Sequence, residues 1–198
     1  MRNAWLLGAI RRNISQDHWN PRWSQVEDFG GNMAVELEIG ELLYALVRAV
    51  KPETIIETGS HKGYSTLVIA QALAENNAGH LHTIDIEDFG AYEACRKFEL
   101  SDRVTFVKAR SEDAIKELVQ KMPKIDLLWL DSDHSMPTVF GEIEAASPSL
   151  KPGSYIAFHD TLTYPSENEA VAAIRKDHPT WEYIRFMSAR GFDLMRVA

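Results

Sequence analysis

Apolar positions along the chain switch between two periods, and the switching is regular enough to lay out most of a fold. Between residues 35 and 50, Ile39, Leu42, Leu43, Leu46, Val47 and Val50 recur at helical steps along one buried face, and Pro52 stops the pattern. The next run, Thr54-Ile55-Ile56, is short, β-branched and followed by a glycine-marked turn, so it reads as a strand. Past the turn, Leu67, Ile69, Ala70 and Leu73 return to helical spacing behind Ser65, a residue type that favours helix starts. The same switching predicts strands over residues 81–86, 104–107, 125–130 and 155–158. Helices are predicted over 92–98, 113–119, 138–146 and 167–176, the last opened by Ser166, with Lys151-Pro152-Gly153 as a turn. Strands alternating with helices build a parallel sheet covered on both faces. The ending differs: residues 181–187 and 192–197 are two strand-like runs joined by Ser188-Ala189-Arg190-Gly191, a hairpin. The expected architecture is α/β, a doubly wound, mostly parallel seven-stranded sheet with a C-terminal antiparallel hairpin.

Residues 1–33 follow neither period. Trp5, Trp19 and Trp23 stand among polar residues, with Pro21 and the Gly30-Gly31 break, so this stretch is set apart as an N-terminal segment from a domain over 34–198. The tryptophans fit packing against the domain, a homodimer contact or the roof of a substrate pocket; ordinary packing is the favoured reading. A length of 198 residues with 45% apolar content suits one globular domain. A net charge of −8 argues against nucleic acid as a partner, because phosphates require a basic face. The single cysteine, Cys95, falls in an amphipathic stretch and reads as a buried thiol. No apolar run approaches the ~20 residues of a membrane span, and the N-terminus lacks a small-residue cleavage site, so the expectation is a cytoplasmic protein with no membrane partner.

Candidate chemistry begins at the first strand-to-helix turn, Glu57-Thr58-Gly59-Ser60-His61-Lys62-Gly63-Tyr64-Ser65. Glycines there let a backbone approach a ligand, while the free N–H groups of the helix start face the same crevice. The spacing is neither the G-x-G-x-x-G of a dinucleotide site nor the G-K-[ST] ending of a phosphate loop. In an open parallel sheet the ligand belongs at the carboxyl ends of the strands, near the point where strand order reverses. At the end of the second strand Asp85 lies 26 residues past Gly59, where an acid can accept both hydroxyls of a ribose; Glu87 and Asp88 are alternatives. After the third strand come Arg110 and Ser111, the latter also suited to capping a helix. The fourth and fifth strand ends carry Asp131-Ser132-Asp133-His134 and His159-Asp160-Thr161-Leu162.

As it stands, E-x-G-x-x-x-G-Y-S resembles the first motif of class I methyltransferases that use S-adenosylmethionine (SAM), in particular the metal-dependent small-molecule O-methyltransferases of the catechol and caffeoyl-CoA type and related sugar-modifying enzymes. The resemblance implies SAM bound by Glu57, Gly59, Ser60, Gly63, Ser65, Asp85, Ser111 and Asp131, with Glu57 near the methionyl amine. It also implies a divalent metal, magnesium or manganese, held by Asp131, His159 and Asp160, with His159 standing where the family usually has a carboxylate. His134 falls where the catechol-type enzymes hold a lysine base. The implied reaction is attack by the hydroxyl of a small molecule on the SAM methyl, with His134 and Asp131 as catalytic residues. Two other classes use the same residues: a metal-dependent hydrolase without SAM, and a SAM-binding module without catalysis.

Overall fold

A computed structural model describes residues 35–198. The reading of the N-terminal tryptophans and of the boundary at residue 33 lies outside the described residues. Among the described residues the elements run α1 (Leu37–Val50), β1 (Thr54–Thr58), α2 (Tyr64–Asn76), β2 (His80–Asp85) and α3 (Ala91–Lys97), then β3 (Val104–Lys108), α4 (Ser111–Val119) and β4 (Ile125–Leu130). There follow α5 (Met136–Ala146), β5 (Leu150–His159), α6 (Pro165–Asp177), β6 (Glu182–Phe186) and β7 (Phe192–Arg196). Seven strands form one sheet in the order β3-β2-β1-β4-β5-β7-β6. β1 to β5 pair in parallel, and β7 inserts antiparallel between β5 and β6. The expected sheet and its closing hairpin are therefore present.

Each face of the sheet has its own core, as a doubly wound sheet requires. Ile39, Leu43 and Val47 of α1 pack with Leu67, Ile69 and Leu73 of α2 and with Trp129 and Phe192 from the sheet. On the other face Ile115, Val139, Ile143, Val171 and Ile174 of α4, α5 and α6 cover Ile56, Leu128, Ile156 and Phe158. Cys95 lies in the first core at 0% exposure, and burial pushes its thiol up to about 12, which makes it inert.

Three local expectations change. Lys151-Pro152-Gly153 sits inside a longer β5, absorbed by a register irregularity between Ile125 and Leu127 of β4. Ser65 does not cap α2: Gly63 holds that position with φ 90°, and the Ser65 hydroxyl turns inward to Glu57. Ser166 does not cap α6 either, because Pro165 starts the helix and the Ser166 hydroxyl donates to the His134 carbonyl at 2.7 Å.

Candidate active site

Strand order reverses between β1 and β4, and a cavity of about 490 Å³ opens at the carboxyl ends of the strands there. Its floor is the meeting of two strand ends. Gly59 adopts φ 84°, and a Cβ at this position would sit 2.0 Å from the Asp131 carbonyl oxygen, so only glycine lets β1 end against β4. Asp85, at the end of β2, lines the cavity with its carboxylate already oriented. Its Oδ2 accepts the His61 amide and its Oδ1 the Ile86 amide, each at 2.8 Å, which leaves lone pairs on both oxygens for a ligand. Ile86 and Phe89, 63% and 47% exposed, supply an apolar wall beside it. Ser111 lines the far side with Arg110.

Four residues of the expected cofactor set lie behind this wall. The Glu57 carboxylate is buried among the hydroxyls of Ser65, Thr66 and Thr83, which donate to it at 2.5, 2.7 and 2.6 Å. Burial pushes its carboxyl up to about 7, although those three donors favour the charged form. Ser60 is buried, its carbonyl accepting the Gly63 amide at 2.8 Å. Gly63 packs tightly against the start of α3, since a Cβ there would lie 2.9 Å from Ala91 Cα. Glu57, Ser60, Gly63 and Ser65 thus shape the turn from the interior, while Gly59, Asp85, Ser111 and Asp131 reach the cavity.

At the other end of the cavity Asp131, His134 and Asp160 each offer a ligand atom, all within 4.8 Å of one another. Asp160 stands at φ 61°, in the left-handed region that few non-glycine residues adopt, and is fully buried. Its Oδ1 is buried without a hydrogen-bond partner, whereas its Oδ2 accepts from Arg190 and lies 3.3 Å from His134 Nε2. His134 Nδ1 faces Glu167 Oε2 at 2.5 Å, and its ring stacks on Tyr164 with centroids 4.3 Å apart. Burial opposes charge on His134, yet the Glu167 hydrogen bond and the carboxylates of Asp131 and Asp160 outweigh it and raise its pKa above the usual 6.5.

His159, expected as a metal ligand with Asp131 and Asp160, stands beside this trio rather than in it. β5 ends at His159, and Asp160 follows it at positive φ, with its Oδ2 3.5 Å from His159 Nδ1. Both ring nitrogens are engaged: Nε2 lies 2.5 Å from Glu36 Oε2 and Nδ1 lies 3.0 Å from Asp131 Oδ1. Burial disfavours its charge, but Asp131, Asp160 and Glu36 overcome that and raise its pKa well above the ordinary imidazole value. The same imidazole holds the Glu36 carboxyl below its usual range against a burial cost that would raise it. Glu36, Glu167 and Arg190 were not singled out from the sequence, because each reaches the site through a contact across more than 25 residues of chain and carries no local motif.

A family model described as a methyltransferase domain matches residues 56–161, and the chain belongs to that family. It is 30% identical over 138 residues to a caffeoyl-CoA O-methyltransferase of Populus kitakamiensis, covering 67% of this chain and 57% of that protein. It is 26% identical over 143 residues to catechol O-methyltransferase B of Danio rerio, covering 67% of this chain and 53% of that one. The chain thus spans little more than half the length of these curated relatives. Among solved structures it resembles an S-adenosylhomocysteine (SAH)-bound methyltransferase of Podospora anserina, with TM-score 0.76, 16% identity and coverage of 98% of this chain and 94% of that one. An O-methyltransferase of Bacillus cereus in complex with SAH aligns with TM-score 0.73 and 18% identity, covering 100% and 90%.

Proposed function

We propose that this chain transfers a methyl group from SAM to a hydroxyl of a small molecule, assisted by a divalent cation, in the cytoplasm. The observation that carries the reading is that one cavity joins the Asp85 carboxylate at one end to the Asp131, His134 and Asp160 cluster at the other. Asp85 is suited to a vicinal diol such as a ribose, since both of its oxygens keep a lone pair and both are fixed by backbone amides. Gly59 keeps the floor free of a side chain between the two ends. The caffeoyl-CoA and catechol enzymes named above are O-methyltransferases, which agrees with an oxygen acceptor.

The cluster fits a cation. Asp160 Oδ1 is a buried carboxylate oxygen with nothing to accept from, and two carboxylates with one imidazole make a donor set for manganese or magnesium. Such an ion, when bound, lowers the pKa of a hydroxyl beside it. His134 serves that ion in this reading: Glu167 holds Nδ1, which orients Nε2 toward Asp131 and Asp160, as an outer carboxylate orients a ligating histidine. Asp131 lines the cavity beside Gly59, and Arg190 donates to Asp160. These residues orient the acceptor oxygen and exclude the misplacements that would lengthen the attack distance.

Isothermal titration with SAM and SAH, followed by methyl-transfer assays on catechol and polyol acceptors with Mn²⁺ or with chelator, tests the proposal. Binding of both ligands and cation-dependent transfer to oxygen are expected. Absence of SAH binding would remove the reading.

A further inference from the structure

Glu36 is not part of the cavity wall, yet it is only 3% exposed, and a glutamate is rarely buried so deeply without specific partners. It sits directly ahead of α1, whose inward positions Ile39, Leu43 and Val47 are apolar, so packing alone does not call for a carboxylate there. Its two oxygens part company. Oε2 lies 2.5 Å from His159 Nε2, and the opposite nitrogen of that ring lies 3.0 Å from Asp131 Oδ1. Oε1 accepts the backbone N–H of Arg190 at 2.9 Å, and the Arg190 guanidinium donates to Asp160 Oδ2. Two chains of contact therefore leave one side chain and end on the two carboxylates of the cation cluster.

We infer that Glu36 is a positioning residue for the cation site, setting Asp131 through His159 and Asp160 through Arg190. The inference rests on the cation reading above. Neither arm is local: one spans 123 residues of sequence and the other 154, so the two oxygens come into place only when the start of the domain, the end of β5 and the β6–β7 turn have assembled. An imidazole held between two carboxylates has one orientation, which fixes the rotamer of Asp131. The Arg190 amide held by Glu36 fixes the turn from which the guanidinium reaches Asp160. Outer partners of this kind matter because a ligand atom displaced by a fraction of an ångström loses much of its affinity for a small hard ion.

The test is Mn²⁺ binding to the chelator-stripped full-length protein, read as the electron paramagnetic resonance signal of free Mn²⁺, with thermal unfolding followed in parallel. Glu36→Ala should weaken Mn²⁺ binding by about 10–100-fold, the usual range for outer-shell substitutions. Glu36→Gln, whose amide oxygen still accepts the Arg190 N–H, should recover part of that loss. Glu36→Gln added to His159→Gln should cost less than it does alone, because both act through one arm. A lowered melting temperature with Mn²⁺ affinity within twofold of the parent would overturn the inference and leave Glu36 a structural residue. If Glu36→Ala does not fold, Glu36→Gln and His159→Gln decide alone: undiminished affinity in both overturns it. A parent protein that binds no Mn²⁺ would instead overturn the cation reading, and this inference with it.

Discussion

Asp85 is held by two amides before any ligand arrives, so little side-chain freedom remains to be lost on binding, and its contribution should be close to that of a full charge-assisted hydrogen bond. Replacing it with Ala should weaken SAH binding by roughly 1.5–3 kcal/mol, measured by titration calorimetry. Undiminished binding would place the ribose elsewhere. His134 invites a sharper test because two roles predict different kinetics. As a cation ligand, His134→Ala should raise the Mn²⁺ concentration for half-maximal transfer by at least about 10–100-fold, the range for residues that only orient a ligand, and lose less at saturating Mn²⁺. A general base would forfeit about 10²–10⁴ of rate at every Mn²⁺ concentration. With an imidazole among the ligands, Mn²⁺ should also support at least as much activity as Mg²⁺. Full activity in excess chelator would remove the cation from the reaction.

At the scale of elements, the turn after β1 shows what a glycine does by position. Gly59 and Gly90 both have positive φ, at 84° and 113°, but a Cβ on Gly59 would meet the Asp131 carbonyl at 2.0 Å while one on Gly90 would meet nothing within 4 Å. Gly90→Ala should cost about 1 kcal/mol of backbone strain in urea unfolding. Gly59→Ala should cost several-fold more, or force β1 and β4 apart, and lose SAH binding; equal costs for the two would mean the strand ends yield easily. The strands and helices were legible because their periods differ and each spans several residues. That Asp131 and Asp160 would come to one cavity was legible as well, since a strand end in a parallel sheet has a defined place. What the sequence hid was direction. His159 looks like a ligand by adjacency to Asp160, but Glu36 and Asp131 engage both of its ring nitrogens, and Ser65 looks like a cap although the buried Glu57 draws its hydroxyl inward. Glu36 and Arg190 were hidden because their meaning lies in contacts 123 and 154 residues away.

Over the whole molecule, the buried acids set a pH dependence that is unusual in sign. Glu57 and Glu142 are 0% and 1% exposed, lie on opposite sides of the β1 end, and are both pushed up to about 7 by burial, against hydroxyl donors such as Ser132 at 2.7 Å from Glu142. An unfolded glutamate titrates near 4.5. Between that pH and 7 these two groups bind protons in the folded protein that the unfolded chain has released, so stability falls as pH rises through this window, and the raised imidazoles of His134 and His159 carry the fall further. Asp126 works at the acid end: burial would raise its carboxyl, but the Lys124 ion pair and the amides of Thr54 and Glu53 hold it below the usual value, and its stabilisation disappears only as pH drops through that lowered range. The chelator-treated protein should be most stable near pH 5, with the melting temperature lower at pH 8. A loss of about 2 kcal/mol corresponds to roughly 4–8 °C for a chain of this size. Glu142→Gln isolates the effect, because the amide is neutral at every pH and of nearly the same volume. Its melting temperature should match the parent at pH 5 and exceed it at pH 8, with a flatter slope between. A parallel, uniformly lowered curve would mean that Glu142 is charged in the folded state and held there by its hydroxyl donors.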